Sequence, residues 1–293
     1  MTLREYLDLG TQTYLEPDKA PNTVRAYRYA LAHLSPAVQG MELGAVTPLH
    51  LQREINALAA RYSRQAQIMY TGLNSAYRKA AKLGMVGENP MGKVDKPGHE
   101  KREICYLWPE EAAAYVREAE REPAGRLLVL MLVLGLRRNE ARGLRCGDLD
   151  EHGILHVEHQ RARDGLAPLK SRSSRRPLPV PEALRPFFDG PTGQWVADVS
   201  EKSLRTQHLR VLSRIGVSRA VTLHGLRHTC ATIAIMGGAE LVTVQKLLGH
   251  KHEALTADLY VHADVEILRP CINVLSGIFL SHSVQEGARL EIV

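Results

Sequence analysis

The run LLVLMLVLGL, from Leu127 to Leu136, most constrains what this chain can fold into. It is about half the roughly 20 apolar residues that a membrane-crossing helix needs, so it is expected as a helix buried in the core of a globular body. The chain around it is long enough to cover it. Its 293 residues suit one large or two ordinary domains, with two the better expectation. A hydrophobic share of 44% and a charged share of 24% are those of a soluble protein. The excess of 38 Lys and Arg over 32 Asp and Glu tilts the partner toward a polyanion without identifying one. The opening MTLREYLDLG carries acidic residues and no apolar core of secretory type, so a cytoplasmic location without membrane attachment is expected. Cys105, Cys146, Cys230 and Cys271 lie far apart, which indicates neither a disulfide framework nor a thiolate metal site.

Residues 1–86 read as a small helical domain. Thr2 and Glu5 make a capping box, Asn22 is expected to cap a second helix with Val24, Tyr27, Leu31 and Leu34 on one face, and Thr47-Pro48 opens a third with Leu51, Ile55 and Leu58 inward. Ser63 starts a long fourth helix that stops near Gly84. On it Arg64 and Gln67 are candidates for reading base edges, as are many polar residues on any helix. Residues 87–102, GENPMGKVDKPGHEKR, have no apolar period and read as a basic linker, whose Lys93 and Lys96 could lie along a phosphate backbone. Residues 103–293 form the second domain. Trp108-Pro109 opens a helix, the apolar run follows, and ILHVEH, LAPLKS and RPLPV, separated by the turn-like RARDG and SRSSR, read as a small antiparallel sheet. Helices return from Thr222, broken at Gly237-Gly238 and Gly249.

Within LHGLRHT, His224 and His228 are four apart and would share a helix face, the spacing of helical zinc sites. The metalloprotease pattern needs Glu after its first His, and Gly225 stands there, with Arg227 opposing a cation. No metal site is expected. In isolation the stretch would read as a core histidine and a surface arginine, but other segments give it company. LGLRRNEARGLRCGDLD places Arg137 after the apolar helix at the break of Gly135. LKSRSSRRPLPVP places Lys170 at the end of a strand. LLGHKHEALTADLYVH holds His250, with Tyr260 ten residues on.

The order GLRxxE, Lys in a hairpin, HxLRHT, LLGH and Tyr resembles the tyrosine recombinases, also called the phage integrase family. The resemblance covers nearly the whole chain. It implies a mainly α fold with a small antiparallel β-sheet: a helical core-binding domain followed by an α/β catalytic domain. It further implies a DNA-breaking and rejoining enzyme in which Arg137 and Arg227 stabilise the charge of a pentacoordinate phosphate with planar, permanently charged donors. Tyr260 would attack phosphorus, His224 would assist as base because a phenol of pKa about 10 is mostly protonated at neutral pH, Lys170 would protonate the departing sugar oxygen, and His250 would donate to the scissile phosphate. The intermediate would be a 3′-phosphotyrosine, with no cofactor or metal needed. Glu140 and Asp148 are expected to brace Arg137 and the backbone, and Cys146 stands where the family pattern usually has Trp.

The implied partners are double-stranded DNA recombination sites and a homo-tetramer assembled on them. Integration or excision of a mobile element is the preferred role. A dimer-resolving recombinase of the Xer type and a type IB topoisomerase stay open within the chemistry, and a DNA-binding accessory protein with an idle site stays open outside it. In the tail, Leu268, Ile272, Leu275 and Phe279 recur as an amphipathic stripe. Family resemblance favours its insertion into a neighbouring subunit over docking on its own domain.

Overall fold

The computed structural model describes residues 1–98, 105–162, 165–169, 174–249 and 261–280. The chain divides into two compact units, Met1–Arg102 and Glu103–Val293.

The first unit is helical. α1 (Leu3–Gly10) runs into one turn of π-helix (Thr11–Leu15), followed by α2 (Pro21–Leu31), the short α3 (Pro36–Gln39), α4 (Pro48–Ala59) and α5 (Ser63–Lys82). Local chemistry sets the starts. Glu5 N–H donates to Thr2 Oγ1 at 3.2 Å while Thr2 N–H donates to Glu5 Oε2 at 2.8 Å. Thr47 caps α4 in the same way, its partner being His50, whose Nδ1 accepts from the Thr47 N–H at 3.2 Å. The start of α2 corrects the expectation for Asn22: Ala20 is the cap and Pro21 the first helical residue, because proline's fixed φ suits that place and it lacks the N–H left over there. Leu51, Ile55, Met69, Leu73 and Tyr77 are fully buried in the core between α4 and α5.

Residues 90–97, within the stretch read as a linker, are pinned to this unit. Asn89 caps a 3-10 turn (Pro90–Lys93), and Met91 and Val94 are buried in the core. Asp95 N–H donates to Gln52 Oε1 at 2.7 Å, and Gln67 Nε2 donates to the Pro97 carbonyl at 3.2 Å. Two apolar residues three apart among Gly, Pro and Lys are enough to dock the segment.

The second unit is built around α7 (Gly125–Val133), the apolar run, in which Leu127 through Leu134 are buried on all sides as expected. It is preceded by α6 (Pro109–Ala119) and followed by α8 (Arg138–Arg142), and then by strands β1 (Ile154–Val157), β2 (His159–Ala162), β3 (Gly165–Pro168) and β4 (Arg176–Pro179). The expected single sheet is, among the described residues, two antiparallel pairs: β1 with β4, Leu155 opposite Leu178, and β2 with β3, Gln160 opposite Ala167. ILHVEH is thus not one strand. It breaks at Glu158, and Arg161-Ala162, read as part of a turn, continues the outer ribbon.

α9 (Glu201–Arg214), α10 (Leu223–Met236), α11 (Leu241–Leu248) and α12 (Val261–Leu280) complete the unit. Leu268, Ile272, Leu275 and Phe279 of α12 are at most 3% exposed, packed into the core formed with α6, α7, α10, α11 and β4 of the same chain. In the single chain the stripe is thus covered by its own unit, the alternative to the expected insertion into a neighbour. No helix of the described residues is long and apolar enough to cross a membrane.

Candidate active site

The site begins where α7 stops. Gly135 takes the left-handed conformation at φ +61°, which favours glycine, and a Cβ there would fall 2.6 Å from Leu248 Cδ2, so any side chain would also have to displace the Leu248 tip of α11. The chain then turns at Arg137, the cap residue of α8. Glu140, three residues on, accepts from the Arg137 backbone N–H at 2.9 Å and from Arg137 Nη1 at 2.7 Å. Its carboxylate is almost completely buried. Burial alone would raise its pKa, but the charge and hydrogen bond of Arg176, joined by the backbone and side-chain hydrogen bonds of Arg137, outweigh burial and hold it below the ordinary value.

α10 supplies the second arginine. Thr222 caps the helix by accepting from the Gly225 N–H at 3.0 Å, and the first turn packs so closely that a Cβ on Gly225 would lie 2.9 Å from the Cys105 carbonyl oxygen. The glutamate of a zinc-protease helix has no room there. Arg227 points inward, 1% exposed, with Nη1 on the Gly135 carbonyl at 2.6 Å and Nη2 on the Leu248 carbonyl. Burial, with Arg137 and Arg176 nearby, lowers its pKa to about 9, which leaves it charged at neutral pH. His224 is exposed, and its ring meets that of His228 edge-on at 4.7 Å. Burial, then the Arg227 charge, pushes His228 below the ordinary histidine value.

The end of α11 draws these groups together. A helix terminus leaves carbonyls without intrahelical partners and carries partial negative charge. Here the carbonyl of Leu247 accepts from Arg176 Nε at 2.8 Å, that of Leu248 from Arg227, and that of Gly249 from Arg137 Nη2 at 3.1 Å. Three successive acceptors thus hold three guanidiniums. Gly249 closes the helix in the left-handed conformation at φ 61° and ψ 47°, and His250 is the next residue in the chain.

Arg176 was not singled out from the sequence. Its side chain is 6% exposed and also donates to Glu140 Oε2 at 2.9 Å and to the Ser174 carbonyl at 3.0 Å. The signal was strand alternation: Arg176 and Leu178 are two apart on β4 and both face the core.

The structure therefore brings Arg137 and Arg227 together and leaves His224 on the adjoining exposed start of α10. Lys170, His250 and Tyr260 lie outside the described residues. Asp148, whose pKa is raised by burial, accepts from the Arg145 N–H at 2.8 Å and so braces the loop after α8. In the first unit, exposed Arg64 donates to Gln67 Oε1 at 3.0 Å, which together with the bond to Pro97 occupies both ends of the Gln67 amide. Lys93 pairs with Glu88 at 2.7 Å, and Lys96 is exposed.

Comparison with known proteins places this arrangement in context. The profile of the phage integrase family matches residues 195–266. The tyrosine recombinase XerC of Pelotomaculum thermopropionicum is 26% identical, the match covering 87% of this chain and 92% of that protein. The tyrosine recombinase XerD of Brucella suis is 27% identical over 93% of this chain and 98% of its own. Among solved structures, the Tn1549 transposon integrase in complex with transposon right end DNA superposes with a TM-score of 0.69 at 16% identity, covering 99% of both chains. A lambda integrase tetramer bound to a Holliday junction superposes with a TM-score of 0.68 at 17% identity, covering 88% of this chain and 80% of that one.

Proposed function

The chain belongs to the phage integrase family of tyrosine recombinases, and from that premise we propose that it is a site-specific recombinase that cuts and rejoins DNA through a covalent 3′-phosphotyrosine intermediate. The observation that carries this reading is the pair of guanidiniums, Arg137 and Arg227, fixed on adjacent carbonyls at the end of α11. Their charge exceeds that of Glu140 beside them, and such a preorganised excess suits an anion whose charge redistributes in the transition state.

In the proposed step the Tyr260 hydroxyl oxygen attacks phosphorus, and a new P–O bond to the phenol forms as the bond to the 5′ oxygen breaks. His224 takes the phenolic proton, and Lys170 gives a proton to the departing 5′ oxygen. His250 donates to a nonbridging oxygen. The reverse reaction with a 5′-hydroxyl of another strand rejoins DNA, and because the phosphodiester energy is kept in the phosphotyrosine, no nucleotide or metal is required. Both units contact the duplex, with Arg64, Lys93 and Lys96 as candidate contacts of the first, and the working assembly is a tetramer on two sites.

Integration or excision of a mobile element is the preferred role. The names of the relatives that match along most of the chain, XerC and XerD, favour a second reading as a recombinase of the Xer type. Incubating the chain with a nicked duplex that loses its 5′-hydroxyl fragment after cleavage tests the chemistry. A protein–DNA adduct stable in detergent supports it. Binding without an adduct would make the chain a DNA-binding protein with an idle site. Sequencing the bound genomic fragments, and asking whether they flank a mobile element or a single chromosomal locus, separates the two roles.

A further inference from the structure

We propose that Arg176, which is outside the set of residues that do the chemistry, is a positioning residue for the phosphate-binding arginines, acting through Glu140 and the carbonyl rack at the end of α11. The proposal rests on the recombinase reading above. Arg176 lies on the inward face of β4, and its planar fork spans three elements: Glu140 of α8, Leu247 at the end of α11, and Ser174 in the segment leading into its own strand. Arg137 uses two of the same groups or their neighbours, Glu140 and the Gly249 carbonyl. Among the described residues, the Arg137 guanidinium is therefore held by the same carboxylate that Arg176 holds and by a carbonyl two residues beyond the one that Arg176 holds.

The chemistry explains why arginine is needed. Glu140 is buried and carries a full charge, and Arg137, 35% exposed, has to keep part of its charge turned toward solvent to meet a phosphate. Arg176 gives the carboxylate a second, buried cation. Glu140 is then held in one orientation and orients Arg137 without depending on it for neutralisation. The bond to Leu247 fixes the last turn of α11, and so the spacing of the carbonyls that Arg227 and Arg137 occupy. A lysine keeps the charge but cannot reach three acceptors in one plane. β4 also follows the segment that holds Lys170 in the sequence, so Arg176 joins the strand after that segment to the arginine pocket.

A double-mutant cycle in the full chain tests this, with single-turnover adduct formation on the nicked duplex as the rate. Arg176→Lys is expected to keep DNA affinity within about threefold while slowing cleavage at least tenfold. In the Arg137→Ala background the same substitution is expected to slow the reaction by a clearly smaller factor, because one of the two arginines it positions is gone. An equal slowing in both backgrounds would show a general structural role and overturn the proposal, as would no slowing in the unsubstituted background. Glu140→Gln breaks the same connection at its middle and should show the same epistasis, which keeps the test open if Arg176→Lys folds poorly. Additivity there overturns the proposal too. If the unsubstituted chain forms no adduct, the recombinase reading falls and this proposal with it. An adduct with additive effects removes this proposal alone.

Discussion

Glu140 holds Arg137 twice, accepting its backbone N–H at 2.9 Å and its guanidinium at 2.7 Å, so that one buried carboxylate both starts α8 and aims the side chain that precedes it. Arg176 also donates to it, on the oxygen that accepts the Arg137 backbone N–H. Substituting Glu140 by Ala leaves Arg176 buried without its counter-charge. Removing one partner of a buried ion pair typically costs about 3–5 kcal/mol. Urea unfolding of Glu140→Ala is expected to show a loss of that order, and a loss below about 1 kcal/mol would mean that the triad is not held as described.

Under the proposed mechanism, binding and chemistry are expected to separate most cleanly at Arg137, because its side chain is partly exposed while Arg227 is buried against two carbonyls. Arg137→Ala is expected to slow adduct formation by about a hundredfold or more, the usual effect of losing one preorganised donor at a developing anion, with a much smaller change in DNA affinity. Arg227→Ala should slow the reaction and also lower the melting temperature, since the carbonyls of Gly135 and Leu248 lose a donor. Gel-shift, single-turnover and melting measurements on the two variants check this. Equal losses of affinity and rate at Arg137 would make it an ordinary phosphate contact.

α12 is a core element of the second unit. Leu275 and Phe279 are 0% and 1% exposed, so Leu275→Ala or Phe279→Ala should cost about 2–5 kcal/mol in the free chain without DNA. A chain cut before α12 is expected to expose the faces of α6 and α11 and to lose cooperative unfolding. A truncated chain that melts as the intact one does would show that the helix is dispensable in cis.

His208 gives the second unit a defined pH dependence. It is buried with Nδ1 2.6 Å from the Tyr115 hydroxyl and Nε2 3.0 Å from the Val221 carbonyl, an arrangement satisfied by the neutral ring with its proton on Nε2. Burial pushes its pKa below the ordinary 6.5, the Val221 bond opposing. Between the lowered value and 6.5 the unfolded chain binds more protons than the folded one, so stability from this group is complete above about pH 6.5 and declines as the pH falls below it. His208→Gln should be less stable at pH 7.5 but lose less further stability on going to pH 5 than the unsubstituted chain. An identical pH slope in the two proteins would count against a neutral buried His208.

Much of this was legible in the sequence where the cause is local. The capping box of Thr2 and Glu5, the Thr47-Pro48 start and the burial of Leu127–Leu134 depend on neighbouring residues alone. Asn22 misled because two helix-start signals, an Asx side chain and Pro21, stand side by side and the proline prevails. Arg137, Arg227 and His224 could be singled out as candidates because their motifs have recognisable order, and the structure brings the two arginines together. Arg176 could not be found that way, since its partners Glu140 and Leu247 are 36 and 71 residues away and an arginine on a strand usually faces water. The α12 stripe announced that it would be buried, but periodicity says nothing about which surface covers it.

The identity of the nucleophile is the most direct test of the whole reading. The adduct formed on a nicked duplex can be digested with protease and nuclease, and the residue that carries the nucleotide located by mass spectrometry, with Tyr260→Phe as the paired sample. The expected result is a single peptide carrying a 3′-linked nucleotide on Tyr260, and no adduct from Tyr260→Phe despite unchanged DNA affinity. A nucleotide on any other residue, a 5′ linkage, or a normal yield of adduct from Tyr260→Phe would contradict the mechanism.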